Sequence, residues 1–282
     1  MMYRILNKVF PASCLVKSLL AGLFLSVTGS VCAQLRPVIP PGDTLDLEVP
    51  HAVEHRKVET FTVEGVTFNM VKVTGGTFSM GATEEQGEEA YDTEFPVHTV
   101  TLPDYYIGET EVTQELWEAM IGHNPSHFKG KNLPVECVRY IDIDLFLMKF
   151  EYYTGVRFRL PTEQEWEFAA RGGNLSQRTK YAGSEDFDTV AWYCNNSGNR
   201  THEVKGKAPN ELGIYDMSGN VEEWCEDIWH PYTEDADEEN DKNAKVSRGG
   251  GYLDFARHLR VSDRRRVPIT IYNSDIGLRL AR

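Results

Sequence analysis

Alternating apolar and polar positions predict short β-strands in several parts of the chain. Around Val66, Phe68 and Met70, apolar residues occupy every second position, as is typical of a strand with one buried face. Gly- and Thr-rich positions between such segments predict turns. The predicted strand segments, in chain order, are 66–73, 77–80, 97–102, 246–252 and 276–281.

Three segments carry helical signals. Apolar residues in segment 141–153 recur at helical spacing, and the Thr-Gly pair at residues 154–155 predicts its end. Thr113 is placed to cap a second, short helix. Thr162 and Glu165 have the Thr-x-x-Glu spacing of a capping box and predict the start of a third. The apolar positions that define the first helix are Ile143, Phe146, Leu147 and Phe150.

Between these elements the chain is rich in irregular connections. Segment 34–65 is Pro-rich at its start and predicts a linker or an arm lying on the domain. Segments 81–91 and 234–241 are acidic and predict solvated loops. Long connections without secondary structure indicate functional surface or support from ions. The pattern as a whole predicts one α+β domain over residues 66–282, with short strands and few helices.

The first 33 residues are typical of an export signal. Basic residues precede the apolar run 19–27, which is too short to span a bilayer. Val31, Cys32 and Ala33 form a small-x-Ala cleavage site, so we expect an exported protein, periplasmic or extracellular, beginning at Gln34. Cys32 leaves lipidation open as an alternative, although Val31 fits a lipoprotein signal poorly.

Charge and cysteine content narrow the possible partners. A net charge of −14 argues against nucleic acid and anionic membranes, and it is compatible with cations. No other apolar segment is long enough for a membrane helix. Cys137, Cys194 and Cys225 remain after signal removal, so one disulfide is possible in an oxidising compartment. The sequence does not choose the pair.

Segment 212–224 carries the clearest candidate site. Asp216, Gly219, Val221 and Glu223 offer two carboxylates and two backbone carbonyls around a tight turn. Calcium prefers such dense oxygen ligands, and glycine lets the backbone bend around the ion. The alternative is a turn whose carboxylates face water.

Other polar clusters have simpler explanations. His123 and His127 bracket a proline that disfavours a helix, so we expect loop histidines rather than a metal pair. An arginine-rich segment in an otherwise acidic chain predicts internal partners for carboxylates, or an anion site. Its members are Arg257, Arg260, Arg264, Arg265 and Arg266.

The ordered landmarks together resemble the sulfatase-modifying-factor family of formylglycine-generating enzymes. The resemblance covers roughly residues 68–282 and implies a C-type-lectin-like fold with bound calcium. It also implies that the calcium ligands are Asp216, Gly219, Val221 and Glu223. The landmarks are Met70–Gly81, Thr110–Thr113, Asn124–Phe128, Leu160–Gly173, Gly213–Trp224, Arg248–Gly250 and Gly277–Arg279.

The enzymatic activity of the family does not transfer by residue. Formylglycine-generating enzymes hold copper with two cysteines that follow the Arg-Gly-Gly strand, because thiolates are soft donors that suit Cu(I). Here the first position is Asp254, the second is deleted or falls near Ala256, and Gly251 replaces a serine. No cysteine follows Cys225, so we expect no copper and assign no catalytic residue.

Two functions remain open. The first is a calcium-stabilised binding or scaffolding module that recognises a protein or a glycan, with an envelope or secretion assembly as one setting. The second is a metal-dependent oxidoreductase in which Asp254 and His258, four residues apart, hold a harder metal such as iron with a third ligand. Pairing of these two side chains with nearby arginines is the simpler alternative.

Overall fold

A computed structural model describes residues 57–233 and 242–282. The predicted signal, the rest of the arm and the acidic insertion 234–241 lie outside the described residues. The helices are α1 (Gln114–Ile121), α2 (Tyr140–Thr154), α3 (Glu163–Ala170) and α4 (Phe187–Val190). The strands are β1 (Val58–Val63), β2 (Val66–Val73), β3 (Gly76–Met80), β4 (His98–Leu102), β5 (Tyr105–Gly108), β6 (Glu222–Ile228), β7 (Ala244–Arg248), β8 (Arg264–Pro268) and β9 (Ile276–Leu278).

The strands form three small sheets. β1, β2 and β5 form an antiparallel sheet in that order, and β3 pairs with β4. The largest sheet has the order β8-β7-β6-β9, in which β9 runs parallel to β6. Helices and short strands are therefore mixed without a regular alternation, which confirms the predicted α+β class.

The last residues of the chain connect two of the sheets. Beyond β9, Leu280 accepts a hydrogen bond from the Gly108 amide at 2.8 Å, and Arg282 exchanges two bonds of 2.9 Å with Tyr106. Ala281 forms an isolated bridge with Ile107 of β5. The closing segment thus joins the β6 sheet to the edge of the β1-β2-β5 sheet.

The structure corrects the predicted start of the domain at residue 66. Val58–Val63 falls inside the segment predicted as linker or arm, yet it pairs residue by residue with β2. Its inward side chains explain why: Phe61 packs against Phe68 and Phe158, with ring centroids 5.5 and 5.2 Å apart. The folded domain therefore begins at or before β1.

The helix ends follow the predicted local chemistry. The Thr113 hydroxyl accepts from the Leu116 amide at 3.3 Å, and α1 begins at the next residue. At α3, Thr162 and Glu165 form the reciprocal bonds of a capping box. α2 ends at Gly155, whose φ of 67° is a left-handed conformation suited to glycine.

α2 is apolar on two opposite sides. Its inner side chains Ile143, Phe146 and Phe150 are fully buried, and Phe146 stacks on Trp117 at 4.8 Å. The opposite side exposes four large apolar residues at helical spacing, which we call the outer stripe. The outer stripe consists of Ile141, Leu145, Met148 and Tyr152, which are 67, 43, 62 and 83% exposed.

The acidic segment 81–91 is not the solvated loop that its composition predicts. It forms a short 3₁₀ segment, and Gln86 within it is fully buried. Glu85 accepts a hydrogen bond of 2.8 Å from Arg171, which lies just after α3. The charge is thus compensated by an arginine distant in sequence, which the local composition could not reveal. No helix in the described ranges is both long and apolar enough to cross a membrane.

Candidate functional site

The turn between Met217 and β6 has a tightly curled backbone. Asp216, Gly219 and Asn220 adopt φ values of 59, 83 and 65°. A Cβ on Gly219 would lie 2.4 Å from the Trp192 carbonyl oxygen, so only glycine fits there. The Gly219 amide donates to Gly249 O at 2.9 Å, which ties the turn to the Arg-Gly-Gly segment.

Both carboxylates predicted as calcium ligands are buried. Asp216 is 3% exposed and accepts a hydrogen bond of 2.8 Å from the Lys205 amide. Glu223 is fully buried; its carboxylate accepts from Arg279 Nη2 at 2.6 Å and from Trp166 Nε1 at 2.7 Å. The alternative in which these carboxylates face water therefore does not describe the site.

Glu111 is a third buried carboxylate at this turn, and we did not single it out from the sequence. One oxygen accepts from the Val221 amide at 3.1 Å and the other from Asn220 Nδ2 at 2.7 Å. The landmark Thr110–Thr113 was the available signal, but nothing in its local pattern indicates a partner about a hundred residues away.

Electrostatics at the turn leave negative charge in excess. Burial, then the charges of Asp216 and Glu223, raise the pKa of Glu111 well above its usual range. Burial likewise raises the pKa of Asp216 to about 6. Arg279 bonds directly to Glu223 and offsets only part of the charge of the three carboxylates. A cation at this place would stabilise their ionised forms.

The donor chemistry of the turn fits a hard divalent cation. The predicted ligands are two carboxylates and the carbonyls of Gly219 and Val221, all oxygen donors of the kind that calcium takes. Glu223 would share its carboxylate between the ion and Arg279. Among the described residues no group of three or more His, Cys, Asp or Glu is arranged to hold a metal. The predicted set, with two side chains and two carbonyls, is of a different kind.

Asp254 lies where the family resemblance places the first copper cysteine. One of its oxygens accepts from Arg265 Nη2 at 2.6 Å and the other from the Gly251 amide at 2.8 Å. Both oxygens are therefore used to hold the loop together. This is the arginine pairing given above as the simpler alternative for Asp254.

His258 points to a different set of partners. Its Nε2 lies 3.3 Å from the Tyr91 hydroxyl, and its Nδ1 lies 3.5 Å from a carboxylate oxygen of Asp263. Its ring stacks on Tyr91 with centroids 5.6 Å apart. The structure thus gives Asp254 and His258 separate partners, and His258 contacts a carboxylate and a tyrosine.

The segment around Asp254 presents apolar side chains to solvent, and we call Leu253, Phe255 and Arg257 the loop surface. Leu253 is 46% exposed and Phe255 is 67% exposed. The Arg257 guanidinium lies 4.1 Å from the Tyr91 ring centroid. The loop is fixed at its base, because Asp254 O accepts from the Cys194 amide at 3.0 Å.

Burial holds the thiols of two cysteines, Cys137 and Cys225, in the protonated form. Burial, followed by hydrogen bonding to Glu136, raises the pKa of Cys137 to about 12. Burial also raises the pKa of Cys225 well above its usual range. Cys194 is half-buried, with its sulfur 3.5 Å from Asn195 Oδ1. Thiols held protonated are poor nucleophiles and poor metal ligands.

The remaining candidate histidines and arginines have structural positions in the fold. His123 and His127 lie in the connection between α1 and α2, in agreement with the loop prediction. Of the arginine-rich segment, Arg260 bonds Glu94 and Arg264 bonds Glu163, each within 2.7 Å. Arg260 and Arg264 therefore serve as internal partners for carboxylates, which is the first of the two alternatives left open for this segment.

Comparisons with known proteins agree with this architecture. A family model described as "Sulfatase-modifying factor enzyme 1-like domain" matches residues 55–282. A relative named "Chaperone protein LppX" from Paenibacillus barcinonensis is 33% identical over 77% of this chain and 90% of the relative. The formylglycine-generating enzyme of Streptomyces coelicolor is 29% identical over 76% of this chain and 89% of that enzyme.

A solved structure extends the likeness to three dimensions. The structure titled "Treponema denticola variable protein 1" is similar with a TM-score of 0.72 and 32% sequence identity. It covers 79% of this chain and 98% of the other. The match to the family model, over residues 55–282, includes the sheets, the turn and the loop described above. The chain belongs to the sulfatase-modifying-factor family and has the fold of formylglycine-generating enzymes.

Proposed function

We propose that this protein is an exported, calcium-stabilised binding module that recognises a partner protein through the loop surface and does not convert cysteine to formylglycine. The observation that carries the proposal is the segment after Gly250. Asp254 stands there in place of a sulfur donor, and both of its oxygens are bonded within the protein. Beside it, Phe255 is exposed on a fixed loop.

The partner chemistry follows from the loop surface. Aromatic and arginine side chains contribute most of the binding energy in many protein interfaces. Phe255, Leu253 and Arg257 supply this combination on backbone that is already held in place, so little entropy is lost on binding. A relative whose name is that of a chaperone protein is compatible with a protein ligand. A glycan is the other ligand class for this surface.

Calcium bound at the turn would stabilise the base of the loop surface. We propose Asp216, Gly219, Val221 and Glu223 as its ligands. Between the second and third of these, Asn220 O accepts from the Tyr252 amide at 2.8 Å, directly before Leu253. An ion that fixes the turn therefore also fixes the base of the loop surface.

Calcium removal tests this role. A ligand that binds only the folded state at 100 times its Kd stabilises it by about 2.7 kcal/mol. We expect a chelator to lower the melting temperature and calcium, rather than magnesium, to restore it. Asp216→Asn should weaken the response. An unchanged melting temperature after chelation would rule out a structural calcium ion.

The absence of oxidase activity is tested directly with a peptide that contains a sulfatase-type cysteine motif. We expect no aldehyde by mass spectrometry after incubation with copper and oxygen, under conditions in which a formylglycine-generating enzyme converts the peptide. Elemental analysis of the purified protein provides a second readout. Copper-dependent aldehyde, or stoichiometric iron or copper, would instead favour the metal-dependent oxidoreductase.

Partner recognition and export need separate measurements. A photo-crosslinker at Leu253 should capture one partner in the native host, and Phe255→Ser should reduce its yield. Leu175→Ser, which removes a 56% exposed apolar side chain outside the loop surface and the outer stripe, serves as the matched control. Equal yields from both variants would contradict recognition by the loop surface. N-terminal sequencing of the exported protein should begin at Gln34.

A further inference from the structure

The outer stripe of α2 is exposed apolar surface that the proposed function does not use. Isolated apolar side chains at the surface are common, but a contiguous row of them marks an interaction site. Four large side chains occupy this row over three turns of one helix. Tyr153, 53% exposed, extends it with its ring 5.4 Å from that of Tyr152.

The spacing of the stripe is that of a two-helix seam. Residues 141, 145, 148 and 152 are separated by four, three and four positions, which is the alternation of the a and d positions of a heptad. Such a row buries its side chains when a second helix with the same spacing lies against it. The inner side chains of α2, Ile143, Phe146 and Phe150, cannot do this, because they are already buried in the domain core.

The charges on either side of the outer stripe indicate which partner packs against it. Asp144 precedes Leu145 on one side of the row, and Lys149 follows Met148 on the other. In a parallel pair of identical helices, Asp144 of each copy faces Lys149 of the other. In an antiparallel pair, Asp144 would face Glu151 of the other copy, and like charges would oppose each other twice. The opposite pair of that arrangement, Asp142 with Lys149, offsets this little, because Asp142 already pairs with Arg139 of its own chain at 2.8 Å.

Both flanking groups are available for such contacts. Within the described residues, Asp144 and Glu151 form no ion pair, and Lys245 influences Asp144 only from a distance. Lys149 Nζ donates to Met120 O at 3.2 Å, and an ammonium group has two further donors. An anionic membrane is a poor occupant, because these acidic groups border the row on a chain of net charge −14.

We propose that the outer stripe of α2 is the contact between two copies of this chain, which pair with their α2 helices parallel. A two-fold axis along the helices makes Leu145, Met148 and Tyr152 each meet its own counterpart. The interface is isologous, as in most symmetric dimers. The loop surface is not part of it, so the dimer displays two copies of that surface.

The first test measures the mass of the purified protein by light scattering and sedimentation, up to roughly 100 µM, because small interfaces associate in the micromolar range or weaker. We expect twice the monomer mass. Ile141→Ser and Met148→Ser should shift the protein to monomer. Phe255→Ser is the matched control, since it removes an equally exposed apolar side chain from the loop surface, and it should leave the mass unchanged.

A charge swap tests the pairing itself. Asp144→Lys and Lys149→Asp should each weaken the dimer by about tenfold, because either change turns two attractive pairs into two repulsive ones. The double variant should restore the affinity. These positions are half-buried or exposed, so we expect the fold to be retained. An unchanged circular dichroism spectrum checks this, together with melting temperatures compared at a dilution at which all the proteins are monomeric.

Disulfide trapping determines the orientation. In a Cys194→Ser background, Tyr152→Cys should form a disulfide-linked dimer with itself on oxidation. A mixture of Ile141→Cys and Tyr152→Cys chains should give no preferred mixed species. A monomer at all concentrations, a dimer insensitive to Met148→Ser, or preferential mixed disulfides would each overturn the proposal.

Discussion

Both regions of the domain have buried apolar side chains, but only one of them also buries several ion pairs. Around α1, α2 and the β1-β2 hairpin, aromatic rings pack together: Trp117 on Phe146, and Phe150 against Phe158 with centroids 5.0 Å apart. Around α3, β7 and β8, fully buried arginines bond to buried carboxylates. We call these regions the aromatic core and the arginine core. The arginine pairs are Arg248 with Glu167, Arg260 with Glu94 and Arg264 with Glu163.

This difference shows which interactions can be predicted from a local sequence pattern and which cannot. Aromatic packing selects the inner face of a helix, and the helical period reveals it. An ion pair such as Glu94 with Arg260 joins residues 166 positions apart. Neither partner has a spacing rule, and burial of charge is favourable only when geometry and hydrogen bonds are complete.

The largest expected effect comes from breaking one pair of the arginine core. Arg260→Ala leaves the Glu94 carboxylate buried without its guanidinium, and we expect a loss of about 3–5 kcal/mol in the free energy of unfolding. Replacing both partners, as Arg260→Met with Glu94→Leu, should recover most of that loss. Urea unfolding at pH 7 measures both. A loss below 1 kcal/mol for the single variant would mean that the pair contributes little.

The next largest effect is expected at low pH, which should weaken the arginine core more than the aromatic core. Burial alone would raise the pKa of Glu94, but hydrogen bonds from Arg260 and Ser262 outweigh it and the pKa is lowered. At Glu163, burial is likewise outweighed by the charges of Arg264 and Arg248. A lowered carboxylate pKa stabilises the fold above the unfolded value, near 4.5, and this stability is lost as pH falls further.

We therefore expect unfolding free energy to fall steeply below about pH 4.5, the ordinary glutamate value. The double variant at residues 94 and 260 should show a shallower fall, because one such carboxylate is gone. Urea unfolding measured in steps from pH 7 to pH 3 provides the comparison. Identical slopes for the two proteins would indicate that other groups govern acid unfolding.

In the aromatic core, removal of one methyl group should have a moderate effect. Ile143 is fully buried, so Ile143→Val should cost about 0.5–1.5 kcal/mol in unfolding free energy. This cost should not change between pH 7 and pH 5, since no charged group is involved. Thermal and urea unfolding of the variant at both pH values check it.

The smallest effect is expected two residues earlier on the same helix. Ile141 is 67% exposed, and Ile141→Val should change the unfolding free energy by less than about 0.5 kcal/mol. The two substitutions are chemically identical and differ only in the side of α2. A larger cost at 141 than at 143 would reverse the assignment of inner and outer faces.

Local chemistry predicts helices α1, α2 and α3 and strands β2, β3, β4, β7 and β9, but it does not reveal α4, β1, β5, β6 or β8. The reasons for these exceptions are physical. The caps at Thr113, Thr162 and Gly155 act within four residues, so the sequence alone reveals them. The sequence pattern places β1 within the predicted arm, because a Pro-rich segment precedes it. Its pairing with β2 and its contact with Phe158 depend on tertiary structure.

At the candidate site, the sequence predicted the turn and two carboxylates but not their surroundings. Glu111 and Arg279 come from other elements, and only the fold brings them to Glu223 and Val221. The outer stripe of α2 is hard to recognise for another reason. One apolar face is enough to predict an amphipathic helix, so the pattern does not distinguish the second row at Ile141 and Tyr152.

The choice of arginine for the buried pairs gives the domain an asymmetric response to solvent acidity. A guanidinium group does not lose its proton in a protein, so alkaline conditions leave Arg248, Arg260 and Arg264 charged. Protons, by contrast, neutralise their carboxylate partners. Buried lysines in these places could lose their charge at high pH, so such a fold would be destabilised at both high and low pH. This domain should remain folded at alkaline pH and unfold first at acidic pH.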